Sequence, residues 1–279
     1  MTTIEWFPGH MASARKKAAE TIGKVDVVVE VLDARVPRAS SNPLITKLRR
    51  DKQRPCLKLL NKADLADPAV TAAWVRHFGA EKGVKAVALS CKNPRDVAKV
   101  RGLAATLAPR RDSPLNPLRL IVMGVPNAGK STLINALLKR KAAKTGDEPA
   151  ITRQQSRFEL DEQTVLIDTP GLVSPAHGSE RDALLLAASH AIGPEAYVGH
   201  DVATFLAQIL LARYAALLEK RYGIDPSAMD GYDLVSAIAK KRGYLLKGGR
   251  PDEDKAGAAL VQDYRSGLLG RISLETPPE

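Results

Sequence analysis

Residues 124–131 read Gly-Val-Pro-Asn-Ala-Gly-Lys-Ser, two glycines with four residues between them, followed directly by Lys-Ser. No other stretch constrains the fold as strongly. An apolar, β-branched run (118–123) precedes it, and apolar residues at helical spacing follow, so the pattern predicts strand, tight loop and helix. Glycines let backbone N–H groups turn inward, and the first turn of a helix adds unsatisfied N–H donors and partial positive charge. This is a site for phosphates. Asn127, Ala128, Gly129, Lys130, Ser131 and Thr132 are expected to wrap them, with a helix from Lys130 to about Lys141. Lys130 is placed to reach the β- and γ-phosphates, and Ser131 to ligate Mg²⁺.

Three further segments end predicted strands. Asp168-Thr169-Pro170-Gly171 follows a short apolar run; Asp168 can hold Mg²⁺ through water, and the Gly171 N–H can bond a γ-phosphate. Asn61-Lys62-Ala63-Asp64 follows residues 56–60. The Asp64 carboxylate can accept from N1–H and the 2-amino group of guanine, a donor pair that adenine lacks, and such buried pairing discriminates strongly. Lys62 is expected along the base, and Asn61 is expected to tie the loops together. Ser90-Cys91-Lys92 ends a third strand, where the Cys91 backbone N–H can contact guanine O6. Thr152 lies between the phosphate loop and Asp168, as a switch threonine for Mg²⁺ or as a solvated loop residue. Together these motifs predict a P-loop GTPase, binding GTP and GDP.

Their order is unusual. The base-reading residues (61–64, 90–92) precede the phosphate loop, so the domain is circularly permuted, with its former ends joined by the proline-rich residues 109–117. Strands at 25–33, 56–60, 84–89, 118–123, 156–160 and 164–167 alternate with helices at 68–78 and after Pro94. That pattern gives an α/β fold with a mostly parallel sheet. Beyond residue 178 the apolar spacing is helical throughout (182–192, 201–222, 231–242, 255–265). We therefore expect a permuted GTPase domain over residues 1–177 and a smaller all-helical domain over 178–279. The γ-phosphate loop leads directly into the latter, which suits a nucleotide switch that moves a second domain.

Charge indicates a partner. The formal net charge is +11, and residues 1–177 carry 30 Lys+Arg against 17 Asp+Glu while the remainder carry 12 against 14. A basic excess suits a polyanion, RNA above all, although a basic solvated surface would look the same. Lys240, Lys241, Arg242, Lys247 and Arg250 cluster beside Gly248-Gly249, either as a solvated helix end or as phosphate contacts. The two cysteines and five histidines show neither a disulfide framework nor metal-ligand spacing. No run approaches the roughly 18 apolar residues of a membrane span, and the first ten residues lack an apolar signal core. A cytoplasmic protein with no membrane partner is expected.

The motif order, together with Trp6-Phe7-Pro8-Gly9-His10-Met11, Lys241-Arg242-Gly243, Gly248-Gly249 and the closing Gly270-Arg271-Ile272-Ser273-Leu274, resembles ribosome biogenesis GTPase A, the YlqF/RbgA group of bacterial permuted GTPases. The resemblance spans essentially the whole chain. It implies a GTPase assisting late assembly of the large (50S) ribosomal subunit, with rRNA and ribosomal proteins as partners and the helical domain contacting them. It also points to His10 in hydrolysis and to Asn127 in K⁺ binding. His10 could instead cap the helix beginning near Met11, and Asn127 could be a structural loop residue. Leu172 stands where Ras-like enzymes carry a water-positioning glutamine, so intrinsic hydrolysis should be slow. Lys130 and Thr152 complete the catalytic set. Two other functions fit the same motifs: a nucleotide-gated RNA-binding scaffold, and a signalling GTPase with a protein effector. The basic first part argues against the second, and the intact magnesium and phosphate residues against the first.

Overall fold

The structure, a computed structural model, describes residues 11–111, 113–139, 156–168 and 179–278. Six strands form one sheet: β1 (Val27–Asp33), β2 (Cys56–Asn61), β3 (Val84–Ala88), β4 (Leu118–Met123), β5 (Ser156–Asp161) and β6 (Thr164–Asp168). Their spatial order is β3-β2-β1-β4-β6-β5. Every pairing is parallel except β5 with β6, so the sheet is mostly parallel, as its β-branched apolar runs require.

β1 is buried along its whole length. Val27, Val29 and Val31 face one apolar cluster, and Val28 faces a second, beneath α1 (Met11–Lys24) and α3 (Pro43–Asp51). A charge sits in mid-strand between them. Glu30, fully buried, pairs in register with Lys58 of β2 at 2.6 Å, and also accepts the Asn42 N–H at 2.9 Å. Lys58 donates in addition to Ser41 Oγ at 2.7 Å, so neither charge is buried without a partner.

Three helices begin in one way: α3, α4 (Pro68–Gly79) and α5 (Pro94–Ala105) each place proline at the first turn after Asn42, Asp67 or Asn93. Each preceding side chain accepts an N–H from the first turn, at Leu44, Ala69 and Arg95 respectively. Proline fixes φ where no donor is needed, and the Asx side chain satisfies an orphan N–H. Of the sequence expectations, α6 (Lys130–Leu138) stops short of Lys141, because Lys139 turns into the left-handed region as its cap. The short α2 (Pro37–Ser40) and α3 were not expected. The 109–117 connection is pinned, with Arg111 reaching Asp26 at 3.3 Å.

The C-terminal part is helical: α7 (Glu180–Ala188), α8 (Gly199–Tyr222), α9 (Gly231–Arg242) and α10 (Glu253–Ser266). Its core residues Leu206, Leu210, Leu234, Ile238 and Leu260 belong to the same apolar cluster as β1 and α5. α8, with 24 residues and a mean hydropathy of 1.4 over its most apolar window, is long and apolar enough to cross a membrane by those measures. Its Val202, Ala203, Leu206, Ala207 and Leu210 are instead fully buried within the protein.

Candidate functional site: a guanine-nucleotide pocket

Because β1, β2, β3, β4 and β6 run parallel, their carboxyl ends share one edge of the sheet. Asp33, Asn61, Ser90, Gly124 and Asp168 therefore converge there, although they span 136 positions of the chain from Asp33 to Asp168. Open α/β sheets bind ligands at this edge.

Gly124 leaves β4 with φ +147, and a Cβ there would lie 2.3 Å from Val31 O. Only glycine lets the loop turn so close to β1. Gly129, at φ +106, opens α6, and a Cβ on it would lie 2.1 Å from Asn61 Nδ2. That amide is occupied: Asn61 Nδ2 donates to Ala128 O at 2.7 Å, and Asn61 Oδ1 accepts the Cys91 N–H at 2.8 Å. Asn61 thus ties the phosphate loop and the Ser90-Cys91-Lys92 loop to its own strand end. The Cys91 N–H, expected to face guanine O6, holds Asn61 in this structure, and the thiol is buried and pushed up to about 12 by that burial.

Lys130 is buried, and its Nζ donates to Val125 O at 3.0 Å, so the side chain arches back over its own loop. Burial lowers its pKa to about 8, with the Asp168 carboxylate opposing the shift. Asp168, buried at the end of β6, is thus within electrostatic reach of Lys130. Ser131 is half-buried and Thr132 exposed at the first turn of α6. Asn127, at φ +56, donates through Nδ2 to His190 O at 2.8 Å, linking the phosphate loop to the segment after α7.

On the base side, Ala63, Asp64, Leu89, Ser90, Lys92 and Arg271 line one open pocket, and Asp64 is exposed. Lys62 has φ +62 and donates to Asp33 Oδ2 at 2.8 Å. Asp33 is also gripped by Arg35, Nε to Oδ1 at 2.9 Å and Nη2 to Oδ2 at 2.8 Å. Burial opposes ionisation of Asp33, but the Arg35 and Lys62 cations outweigh it and hold its carboxyl far below the usual carboxylate range. Arg35 in turn lies over the Tyr264 ring, 4.8 Å from its centroid, and donates to Arg265 O at 3.3 Å. Sequence reasoning missed Asp33 and Arg35. Their signal was a strand ending in Asp followed by Ala-Arg, which alone names no partner.

Of the expected site residues, Asn61, Lys62, Ala63, Asp64, Ser90, Cys91, Asn127, Ala128, Gly129, Lys130, Ser131, Thr132 and Asp168 lie at this one edge of the sheet. His10, Thr152, Gly171 and Leu172 lie outside the described residues.

Residues 119–209 match the family described as 50S ribosome-binding GTPase. The match opens on β4 and leaves out residues 61–92, as it must where the base-side strands precede the phosphate loop. Ribosome biogenesis GTPase A of Bacillus cereus is 36% identical over 283 residues, covering 99% of this chain and 95% of that protein. Mitochondrial ribosome-associated GTPase 1 of Bos taurus is 32% identical over 300 residues, covering 97% and 88%. The crystal structure of GNP-bound YlqF from Thermotoga maritima superposes with a TM-score of 0.65 at 26% identity, covering 96% of this chain and 99% of that one. Likeness above 30% identity along nearly the whole of both chains, over a permuted sheet with its nucleotide motifs at one edge, makes this chain a GTPase that belongs to the ribosome biogenesis GTPase A family.

Proposed function

We propose that this GTPase acts in late maturation of the large ribosomal subunit, in the cytoplasm, with rRNA and ribosomal proteins as its partners. The observation that carries the reading is the full-length likeness to ribosome biogenesis GTPase A, helical part included. Surface charge supports it. Lys240, Lys241, Lys247 and Arg250 are exposed at the end of α9 and around the Gly248-Gly249 turn. Arg242, expected in the same cluster, is exposed too and pairs with Asp263 at 3.0 Å. Exposed Leu245 and Leu246 lie between them. Cations on an exposed turn suit phosphate contact more than a solvated helix end.

In the proposed site Asp64 reads guanine, and Lys130 with the first-turn N–H groups of α6 holds the phosphates. The Ser131 hydroxyl and the buried Asp168 carboxylate are hard oxygen donors at facing strand and helix ends, a set that fits Mg²⁺. Mg²⁺ neutralises charge developing on the transferred phosphoryl group. Thr152 and the Gly171 N–H would complete the γ-phosphate contacts. Asn127 is proposed for K⁺ and His10 for ordering the attacking water, since Leu172 offers no polar group for that task.

Co-sedimentation with large-subunit particles tests the partner. Binding in a non-hydrolysable GTP analogue should exceed binding in GDP and should fall steeply between about 50 and 200 mM salt, as phosphate contacts require. Binding that ignores both salt and nucleotide would point to a protein effector or to a passive scaffold instead.

A further inference from the structure

The tail after α10 returns to the base side of the sheet domain. The Ile272 N–H donates to Leu65 O at 2.9 Å, and the Leu274 N–H donates to Arg35 O at 2.7 Å. The Asp67 N–H donates to Ser273 Oγ at 3.2 Å, and Trp74 Nε1 donates to Glu275 O at 3.1 Å. Tyr214, where α8 kinks, accepts the Ser273 N–H at 3.1 Å. Residues 272–275 are buried by these contacts. They aim Arg271 at the base-side loop, where Nη2 donates to Ala63 O at 2.9 Å and Nε donates to Ala66 O at 3.0 Å.

Those two carbonyls bracket Asp64. A planar guanidinium that grips both fixes the turn between them, because its donors sit in a rigid fork. Arg271 also lines the pocket that Asp64, Ser90 and Lys92 form. We propose that Arg271 is a positioning residue of the guanine site: it sets the Asp64 carboxylate at the height and angle needed to receive the N1–H and 2-amino donors. The site that reads the base is thus completed by the far end of the chain. From the opposite side Lys62 is held by Asp33, and Arg35 carries that contact to the Tyr264 ring of α10. Both grips on the base loop therefore come to rest on the helical part, and guanine affinity depends on its docking.

The inference rests on Asp64 as the base reader, so the test includes both residues. Affinities for GDP and IDP are measured by displacement of a fluescent guanine nucleotide analogue from wild type, Arg271→Ala, Arg271→Lys and Asp64→Asn. IDP lacks the 2-amino group and gains less from a well-placed carboxylate. Arg271→Ala should weaken GDP by about tenfold, the loss of roughly one well-placed hydrogen bond, and IDP by less than about twofold on the same footing. The guanine preference then shrinks. Arg271→Lys, which keeps charge but not the fork, should fall between, and it carries the same ratio test if the alanine variant does not fold. GDP and IDP affinities that are both unchanged, or that fall by the same factor, would overturn the assignment and leave Arg271 as a tail anchor. Asp64→Asn should shift preference toward xanthosine nucleotides; if it does not, the base-reading assignment falls and the role of Arg271 with it. A normal shift in Asp64→Asn beside an unchanged GDP-to-IDP ratio in both Arg271 variants would remove Arg271 alone.

Discussion

Asn61→Ala should separate nucleotide affinity from stability more clearly than any other single change in the site. The Asn61 side chain is buried and makes two hydrogen bonds, to Ala128 O at 2.7 Å and from the Cys91 N–H at 2.8 Å. Truncation removes both and leaves a carbonyl and an amide without their partner. Each neutral hydrogen bond contributes about 1 kcal/mol net, and each stranded group costs about 1 kcal/mol or more, so the total is about 2–4 kcal/mol. In the nucleotide-free protein the pocket edge is open, so water can recover part of this. About 2 kcal/mol should appear as lost stability, which for a chain of this size lowers Tm by roughly 4–8 °C. The remainder should appear on binding, when the phosphate and base loops must again be held in register. That remainder, about 1–2 kcal/mol, should lower GDP affinity by about 5–30-fold. Titration of the folded variant with a fluorescent GDP analogue reads the second quantity, and a thermal melt without nucleotide reads the first. GDP affinity within twofold of wild type, with the melt shifted, would refute the idea that Asn61 organises the nucleotide site.

Two further outcomes follow from the phosphate loop. Lys130 titrates near 8 in the nucleotide-free protein, and bound phosphates favour its ammonium form and raise that value. GDP affinity should thus be full below pH 8 and fall by up to about tenfold per unit above it. The phosphate's own second ionisation, near 6, lies outside that window. A flat profile from pH 7.5 to 9.5 would mean that Lys130 is already charged or does not reach the phosphates. GTP turnover should be faster in K⁺ than in Na⁺ at matched ionic strength, and Asn127→Ala should abolish the difference; equal rates in the wild-type protein would leave Asn127 a structural residue of the phosphate loop, as in its bond to His190 O.

Much of the nucleotide site was legible because its signals are local. Gly124 and Gly129 are required by backbone positions that no side chain could share, and Asp67 and Asn93 announce helices through the proline that follows each. The α3 helix was not legible: Lys47, Arg49 and Arg50 crowd a nine-residue helix in which only Leu44, Ile45 and Leu48 give apolar spacing. Arg49 is buried against Glu81, a partner 32 positions away, so its charge hid a core position. The α8 helix was legible from its helical apolar spacing over 201–222. Its apolar residues are interrupted by Asp201 and Arg213, yet its mean hydropathy is high because it packs on α9 and α10. Least legible was the base-side grip. Arg271 and Ala63 stand 208 positions apart, and Arg35 and Arg265 stand 230 apart. No periodicity or local motif encodes contacts that exist only once the tail has folded back.

We propose that GTP hydrolysis by this chain is coupled to an assembling large ribosomal subunit, a reading supported by its full-length likeness to ribosome biogenesis GTPase A. The most direct measurement is single-turnover GTP hydrolysis by the purified protein alone, with large-subunit precursor particles, and with small subunits at equal RNA concentration. Slow turnover alone and stimulation of the order of 10²-fold by large-subunit particles, the low end of what an ordered catalytic group contributes, is the expected result. His10→Ala should lose most of that stimulation while still binding the particles. The same rate in all three conditions, or equal stimulation by both subunits, would contradict the account.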